Sequence, residues 1–320
     1  MRRSRAVRRR PSAAAIAAAC LLALTACADA ARPTEEWFPE TTGESAAGAG
    51  DGKPGAGQGG RTPRALPGGA GGAGGAGGDD GAGGGGRAAA PGAYHRWGLD
   101  RPLAPPPEPP AARPVRPEPS GLPAVVDRVP TRDKVVFVTI DDGVNKDPAL
   151  IDMAADLRLP FSMFLADSAV GGGAGEGYGY FAELQRLGNS VHGHTLTHPD
   201  LTSLPYAAQR RQICRQQERV ADRFGVRPTL FRPPYGEYDA ATLRAAASCG
   251  VRAVPLWRAE MKAGGLEYRE GDRLRPGDIV LAHFRGPGQQ GGRTMTDVLA
   301  ELVREIQRQG YTVARLEDYM

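Results

Sequence analysis

An α/β domain built on a parallel sheet, open or closed into a barrel, is the fold that residues 121–320 predict. Three observations carry this expectation. Apolar, β-branched runs alternate with longer helical patterns along the whole segment. Polar clusters fall where the runs end, which is where function sits in parallel α/β folds. The segment is about 200 residues long, enough for one sizeable core.

Taken in order, residues 135–140 form an apolar, β-branched strand, and residues 148–157 a helix. Residues 161–165 read as the next strand, followed by a glycine-rich surface loop over 171–179 and a helix over 180–187. A strand at 190–192 precedes a long helix over 205–224. Then come a strand at 229–231, a helix over 240–249 and a strand at 251–256. A strand at 278–282, a helix over 295–309 and a strand at 311–313 complete the alternation. Cys214 and Cys249 both fall on these helices, and an even pair suggests a disulfide if the chain is exported.

The first 26 residues read as a targeting signal. Arg2, Arg3, Arg5 and Arg8, Arg9, Arg10 precede an apolar run at 13–26 that is shorter than the roughly 20 residues a membrane span needs. The run ends in Leu24-Thr25-Ala26-Cys27, which resembles the lipobox of bacterial lipoproteins. That resemblance implies export, cleavage before Cys27 and a lipid anchor on it, facing the cell wall. The formal charge of +4 falls to −2 once the six signal arginines are removed. The basic pI therefore belongs to the signal, and a nucleic-acid partner loses its main support. Residues 27–120 are dominated by Gly, Ala and Pro and read as a disordered tether, with Tyr94-His95-Arg96-Trp97 as a sticky spot within it. A flexible chain of about 90 residues has an r.m.s. span of roughly 50 Å.

Of five histidines, His192, His194 and His198 fall in one short segment and His283 ends the strand Ile279-Val280-Leu281-Ala282. The i, i+4 spacing of His194 and His198 would put both imidazoles on one side of a helical turn. Two imidazoles and a carboxylate make a zinc-type ligand set that leaves a position open. His192 has the wrong spacing for that face and is expected to pack or to orient a ligand. The apolar run Val136 to Ile140 delivers Asp141 and Asp142 and then Gly143, which permits a sharp turn. Adjacent residues at a strand end point in different directions, so one acid can bind metal while the other serves as a base. In Phe231-Arg232-Pro233-Pro234-Tyr235-Gly236 the two prolines fix the backbone and leave the Tyr235 N–H as a placed donor suited to an oxyanion.

These four segments, in this order, resemble the polysaccharide deacetylase family, the NodB-homology domain of carbohydrate esterase family 4. The resemblance covers nearly all of residues 133–320. It implies a distorted (β/α)7-8 barrel and a divalent metal on Asp142, His194 and His198: zinc first, with cobalt, nickel or manganese as alternatives. It further implies Asp141 as general base, oriented by Arg232, the Tyr235 N–H facing the oxyanion, and His283 as the acid for the leaving amine. The substrate implied is an acetylated polysaccharide, with N-acetylglucosamine units of peptidoglycan first and acetylated xylan as the alternative. A monomer is expected.

Departures from the family pattern accompany the matches. Ile140 replaces the usual Phe, and Val144 a common Pro. Glu260 stands where the family places an Asp beside the catalytic histidine, and Gly264 where a second Trp would be. Glu260 would hold His283 in its tautomer, and the altered pocket points to an altered sugar site or to a wall-binding member without turnover. A phosphoryl-transfer enzyme built on the paired aspartates is disfavoured, because no phosphate-cradling glycine loop adjoins them.

Overall fold

The computed structural model describes residues 90–171 and 177–320. The signal, Cys27 and the tether up to residue 89 lie outside the described residues, as do residues 172–176 of the glycine-rich loop. In chain order the elements begin with β1 (Ala124–Val126), β2 (Val135–Asp142) and α1 (Pro148–Leu157). There follow β3 (Ser162–Leu165), α2 (Asp167–Val170), α3 (Tyr178–Arg186) and β4 (Ser190–Gly193). After α4 (Tyr206–Phe224) and α5 (Ala240–Ser248) come β5 (Ala253–Pro255), β6 (Ala259–Lys262) and β7 (Gly265–Tyr268). The chain closes with β8 (Ile279–His283), α6 (Met295–Arg308) and β9 (Thr312–Val313).

The fold is the expected distorted (β/α) barrel. The main sheet runs β4-β3-β2-β8-β6-β7, with β9 also on β2, and β1 pairs separately with β5. Every pairing is parallel except the β6–β7 hairpin. Isolated bridges add to these ladders: Gly193 to Phe231 and Leu230 to Ala253 in parallel, and Arg128 to Asp278 antiparallel. The run at 229–231 thus contributes bridges rather than the expected strand. Pro228, Pro233 and Pro234 surround it with residues that cannot donate to a ladder.

All eight residues of β2 are buried, as befits a strand covered on both faces. Its alternation sorts the core. Val135 and Phe137 join Phe164, Ile279 and Tyr319 in the barrel interior. Val136, Val138 and Ile140 face the helices with Met163, Leu165, Val280 and Ala282. Asp141 therefore continues the interior face, as do its register neighbours Phe164 on β3 and His283 on β8. Helix ends are fixed locally: Asp147 caps α1, and capping boxes start α5 at Asp239 and α6 at Thr294. Cys214 and Cys249 form a disulfide joining α4 to the end of α5.

Residues 90–120, assigned by composition to the tether, are instead docked on the domain. Leu99 and Val115 are buried. Trp97 Nε1 donates to Asp156 Oδ2 at 3.0 Å, and Gln307 Nε2 donates to the carbonyls of Arg101 and Pro102, both at 3.1 Å. Bulk composition hides such a strap, because a few anchors suffice when proline carbonyls need only accept hydrogen bonds. The folded unit therefore begins before residue 121, and Trp97 packs against its core rather than standing as a sticky spot in a linker.

Candidate active site

The C-terminal ends of β2, β4 and β8 bring Asp141, Asp142, His194, His198 and His283 together. His194 and His198 approach one another, but not on a helical turn. Residues 194–198 form an irregular loop in which Thr195 (φ 72°) and His198 (φ 57°) are left-handed. The expected i, i+4 helical geometry is thus corrected. The loop does the converging, with the Thr195 hydroxyl accepting from the His198 N–H at 3.0 Å. Asp142 (φ 77°) and Tyr235 (φ 61°) are left-handed as well. Such conformations in non-glycine residues cost about 1–3 kcal/mol each and cluster at functional sites.

The turn at Asp142 swings its carboxylate out of the strand alternation. Asp142 Oδ1 lies 3.6 Å from His194 Nε2 and 3.2 Å from His198 Nε2. Gly143 (φ 104°) must follow, since a Cβ there would lie 2.9 Å from Val170 Cγ2. The three ligand atoms lie within 4.8 Å of one another. His194 Nδ1 sits 2.8 Å from the Arg232 carbonyl. A carbonyl only accepts, so Nδ1 carries the proton and Nε2 offers its lone pair to the cluster. Asp142 Oδ1 is buried without an aligned hydrogen-bond donor, which is what a cation between the three groups would satisfy. The donor set, one carboxylate oxygen and two imidazole nitrogens, fits a catalytic divalent metal.

Burial pushes the Asp142 carboxyl up, but the imidazoles of His194 and His198 outweigh it and hold it well below the usual carboxylate range. Burial pushes His194 down, yet Asp141 and Asp142 overcome this and raise it. A proton and a cation thus compete for the same atoms.

Asp141 faces the interior and takes a different partner. Its Oδ1 accepts from Arg232 Nη1 at 2.8 Å, and the guanidinium is fully buried between Phe164 and Trp257. His283 stands beside Asp141 in the β2–β8 register. Burial pushes its imidazole down to about 4. Glu260 Oε1 lies 3.9 Å from His283 Nδ1, which is ion-pair range but beyond a hydrogen bond. Burial also pushes the Glu260 carboxyl up. The Tyr235 ring packs edge-on against His198 with centroids 4.9 Å apart. His192 packs rather than joining the cluster: it lies against Phe164 and within 2.9 Å of Ser190 Oγ. Sequence reasoning missed Thr139, whose hydroxyl accepts from Arg232 Nη1 at 2.9 Å, and Lys146, whose Nζ donates to the Gly143 carbonyl at 3.1 Å. Thr139 stood in the motif with the alternation that places it, whereas nothing local marked Lys146.

This is the architecture of an α/β barrel with a candidate metal site at the carboxyl ends of its strands. Residues 128–254 match the family model for polysaccharide deacetylase, and the chain belongs to that family. An uncharacterised protein of Streptomyces coelicolor is 48% identical over 62% of this chain and 78% of its own length. The bifunctional xylanase/xylan deacetylase of Cellvibrio japonicus is 26% identical over 57% of this chain and 27% of its own. The peptidoglycan-N-acetylmuramic acid deacetylase PdaC of Bacillus subtilis is 28% identical, over 60% and 40% respectively. The chain thus spans well under half of these last two relatives. A solved peptidoglycan N-acetylglucosamine deacetylase shares the fold with a TM-score of 0.52 and 21% identity, over 61% of this chain and 92% of its own.

Proposed function

We propose that this protein hydrolyses N-acetyl groups from N-acetylglucosamine units of a polysaccharide, with peptidoglycan as the substrate. The observation that carries the reading is the convergence of Asp142, His194 and His198 beside an Arg232-bound Asp141 and an interior-facing His283. A divalent cation on the three ligands, zinc first, would supply Lewis acidity that acidifies water and polarises the acetyl carbonyl. Asp141, locked by Arg232, takes the proton from the attacking water. The Tyr235 main-chain N–H faces the developing oxyanion. Burial holds the His283 imidazole neutral at rest, so it relays to the amine, as the C–N bond breaks, the proton that Asp141 has taken from the water. Glu260 steadies the imidazolium that forms.

Peptidoglycan follows from the expected lipid anchor on Cys27, which would hold an exported, monomeric domain beside the wall. Acetate release from peptidoglycan, chitin oligomers and acetylxylan tests the reading with the zinc-loaded protein. Release from the first two, abolished in Asp141→Asn, is the expected result. Release from acetylxylan alone would make it an O-acetyl esterase, and glycan binding without any release would make it a wall-binding member of the family.

A further inference from the structure

Only four of the 40 Lys and Arg residues are lysines, and one of them lies four positions after Asp142. Lys146 is half-buried. Its Nζ donates to the carbonyls of Gly143 at 3.1 Å, Val144 at 3.2 Å and Ala169 at 3.5 Å. Three donors on one compact ammonium suit three carbonyls arriving from two chain segments, which a planar guanidinium fork does not. The fold leaves room for this side chain. A Cβ on Gly177 would lie 2.5 Å from Lys146 Cε and 1.7 Å from the Val170 carbonyl oxygen.

The second carbonyl-bearing segment, α2, is a junction between the two ligand loops. The Ala166 N–H, just before α2, donates to the Asp142 carbonyl at 3.0 Å. The N–H groups of Asp167 and Ser168 donate to the carbonyls of Thr195 at 3.2 Å and Leu196 at 2.8 Å, inside the His194–His198 loop. Ala169 then accepts from Lys146, which holds the far side of the Asp142-Gly143 turn. Both residues of that turn are left-handed, so their geometry depends on outside support.

We propose that Lys146 is a positioning residue: by tying the Asp142-Gly143 turn to α2, it holds the Asp142 carboxylate in register with His194 and His198. The ammonium loses hydration to do so, and burial pushes its pKa down. The proposal rests on the metal-centre reading above, and its test separates the two.

In the full-length protein, Lys146→Met keeps the side-chain length and removes all three donors. Zinc affinity by chelator competition is expected to fall about 10–100-fold, the usual effect of losing a group that orients a metal ligand. Lys146→Arg is expected not to restore it. In the metal-free protein, amide exchange of Gly143 and Ala166, which donate to the Asp141 and Asp142 carbonyls, is expected to speed up. Unchanged zinc affinity in Lys146→Met overturns the proposal, even if its melting temperature falls, because the lysine is then only a stabiliser. If the wild-type protein takes up no zinc, the metal-centre reading fails by itself. The amide exchange then decides: faster exchange in Lys146→Met supports the clamp and unchanged exchange overturns it.

Discussion

Arg232 Nη1 donates to Asp141 Oδ1 at 2.8 Å and to Thr139 Oγ1 at 2.9 Å, from a guanidinium with no solvent exposure. Its Nε and Nη2 donate to the carbonyls of Pro255 and Leu256 at 2.7 and 3.2 Å. One side chain thus ties the base to β2 and to the end of β5. Arg232→Met would strip the buried Asp141 of its hydrogen-bonded cation, leaving His194 Nε2 at 3.8 Å from Oδ2, with an expected loss of about 3–5 kcal/mol in urea unfolding. Arg232→Lys should recover little of it, because an ammonium cannot reproduce the fork. A loss below roughly 1 kcal/mol, the range of exposed pairs, would mean that the pair is wet.

The ligand cluster should make stability depend on metal. Zinc at a hundred times its dissociation constant is expected to raise unfolding free energy by about 2.7 kcal/mol, and a chelator to remove the gain. Asp142→Asn, His194→Gln and His198→Gln should each abolish that increment. Affinity should weaken as pH falls through the imidazole range, because the raised His194 holds a proton where the cation would sit. Calorimetric titration at several pH values checks both statements.

Acid sensitivity of the metal-free protein should come in part from His192. Burial pushes it down to about 4, opposed by Glu317, whereas an unfolded-chain imidazole titrates at about 6.5. Between those values the unfolded chain binds a proton that the folded one refuses. The contribution is therefore fully present above pH 6.5 and lost as pH falls toward 4, by roughly 3 kcal/mol at about 1.4 kcal/mol per unit. His192→Gln keeps a donor for Ser190 and should lose less stability between pH 7 and pH 4 in urea titrations. His283, half-buried and also pushed down to about 4, still contributes in that variant, so the acid limb should shrink without vanishing.

The sequence made the strand–helix alternation and most of the site legible, for a physical reason in each case. The run Val135 to Ile140 had to be a strand buried on both faces, and acids at its end had to emerge at the mouth. Adjacent acids with separate partners followed from alternation, although the left-handed turn at Asp142 sharpens the divergence. The His194–His198 loop was misread as helical because the same spacing can be closed by two left-handed residues, which no periodicity reveals. The docking of Trp97 and Leu99 was hidden by the glycine and proline around them. Lys146 was illegible because its partners are main-chain carbonyls, which every residue carries. The β6–β7 hairpin that places Glu260 lay unremarked beside the motif it serves.

Glu260 is where this chain departs from the family pattern, so its variants are informative. It is held 3.9 Å from His283 Nδ1 and 3.9 Å from Lys262 Nζ, a carboxylate shared between two groups and bonded tightly to neither. An acid that starts neutral depends on what stabilises its protonated form. Glu260 can do so only if the arm closes onto Nδ1 when substrate binds, as catalytic hydrogen bonds often tighten in the complex. His283→Ala removes the acid itself and is expected to lower kcat about 10²–10⁴-fold with little effect on KM. Glu260→Gln keeps the shape and loses the charge. If the carboxylate steadies the imidazolium, kcat should fall by a smaller factor, on the order of tenfold, with KM unchanged and the His283 limb of the pH–rate profile moved to lower pH. A Glu260→Gln enzyme with wild-type kcat and an unmoved limb would show that His283 works without a carboxylate partner. In that case the replacement of the family's Asp by Glu has released the acid from its partner rather than lengthened its reach.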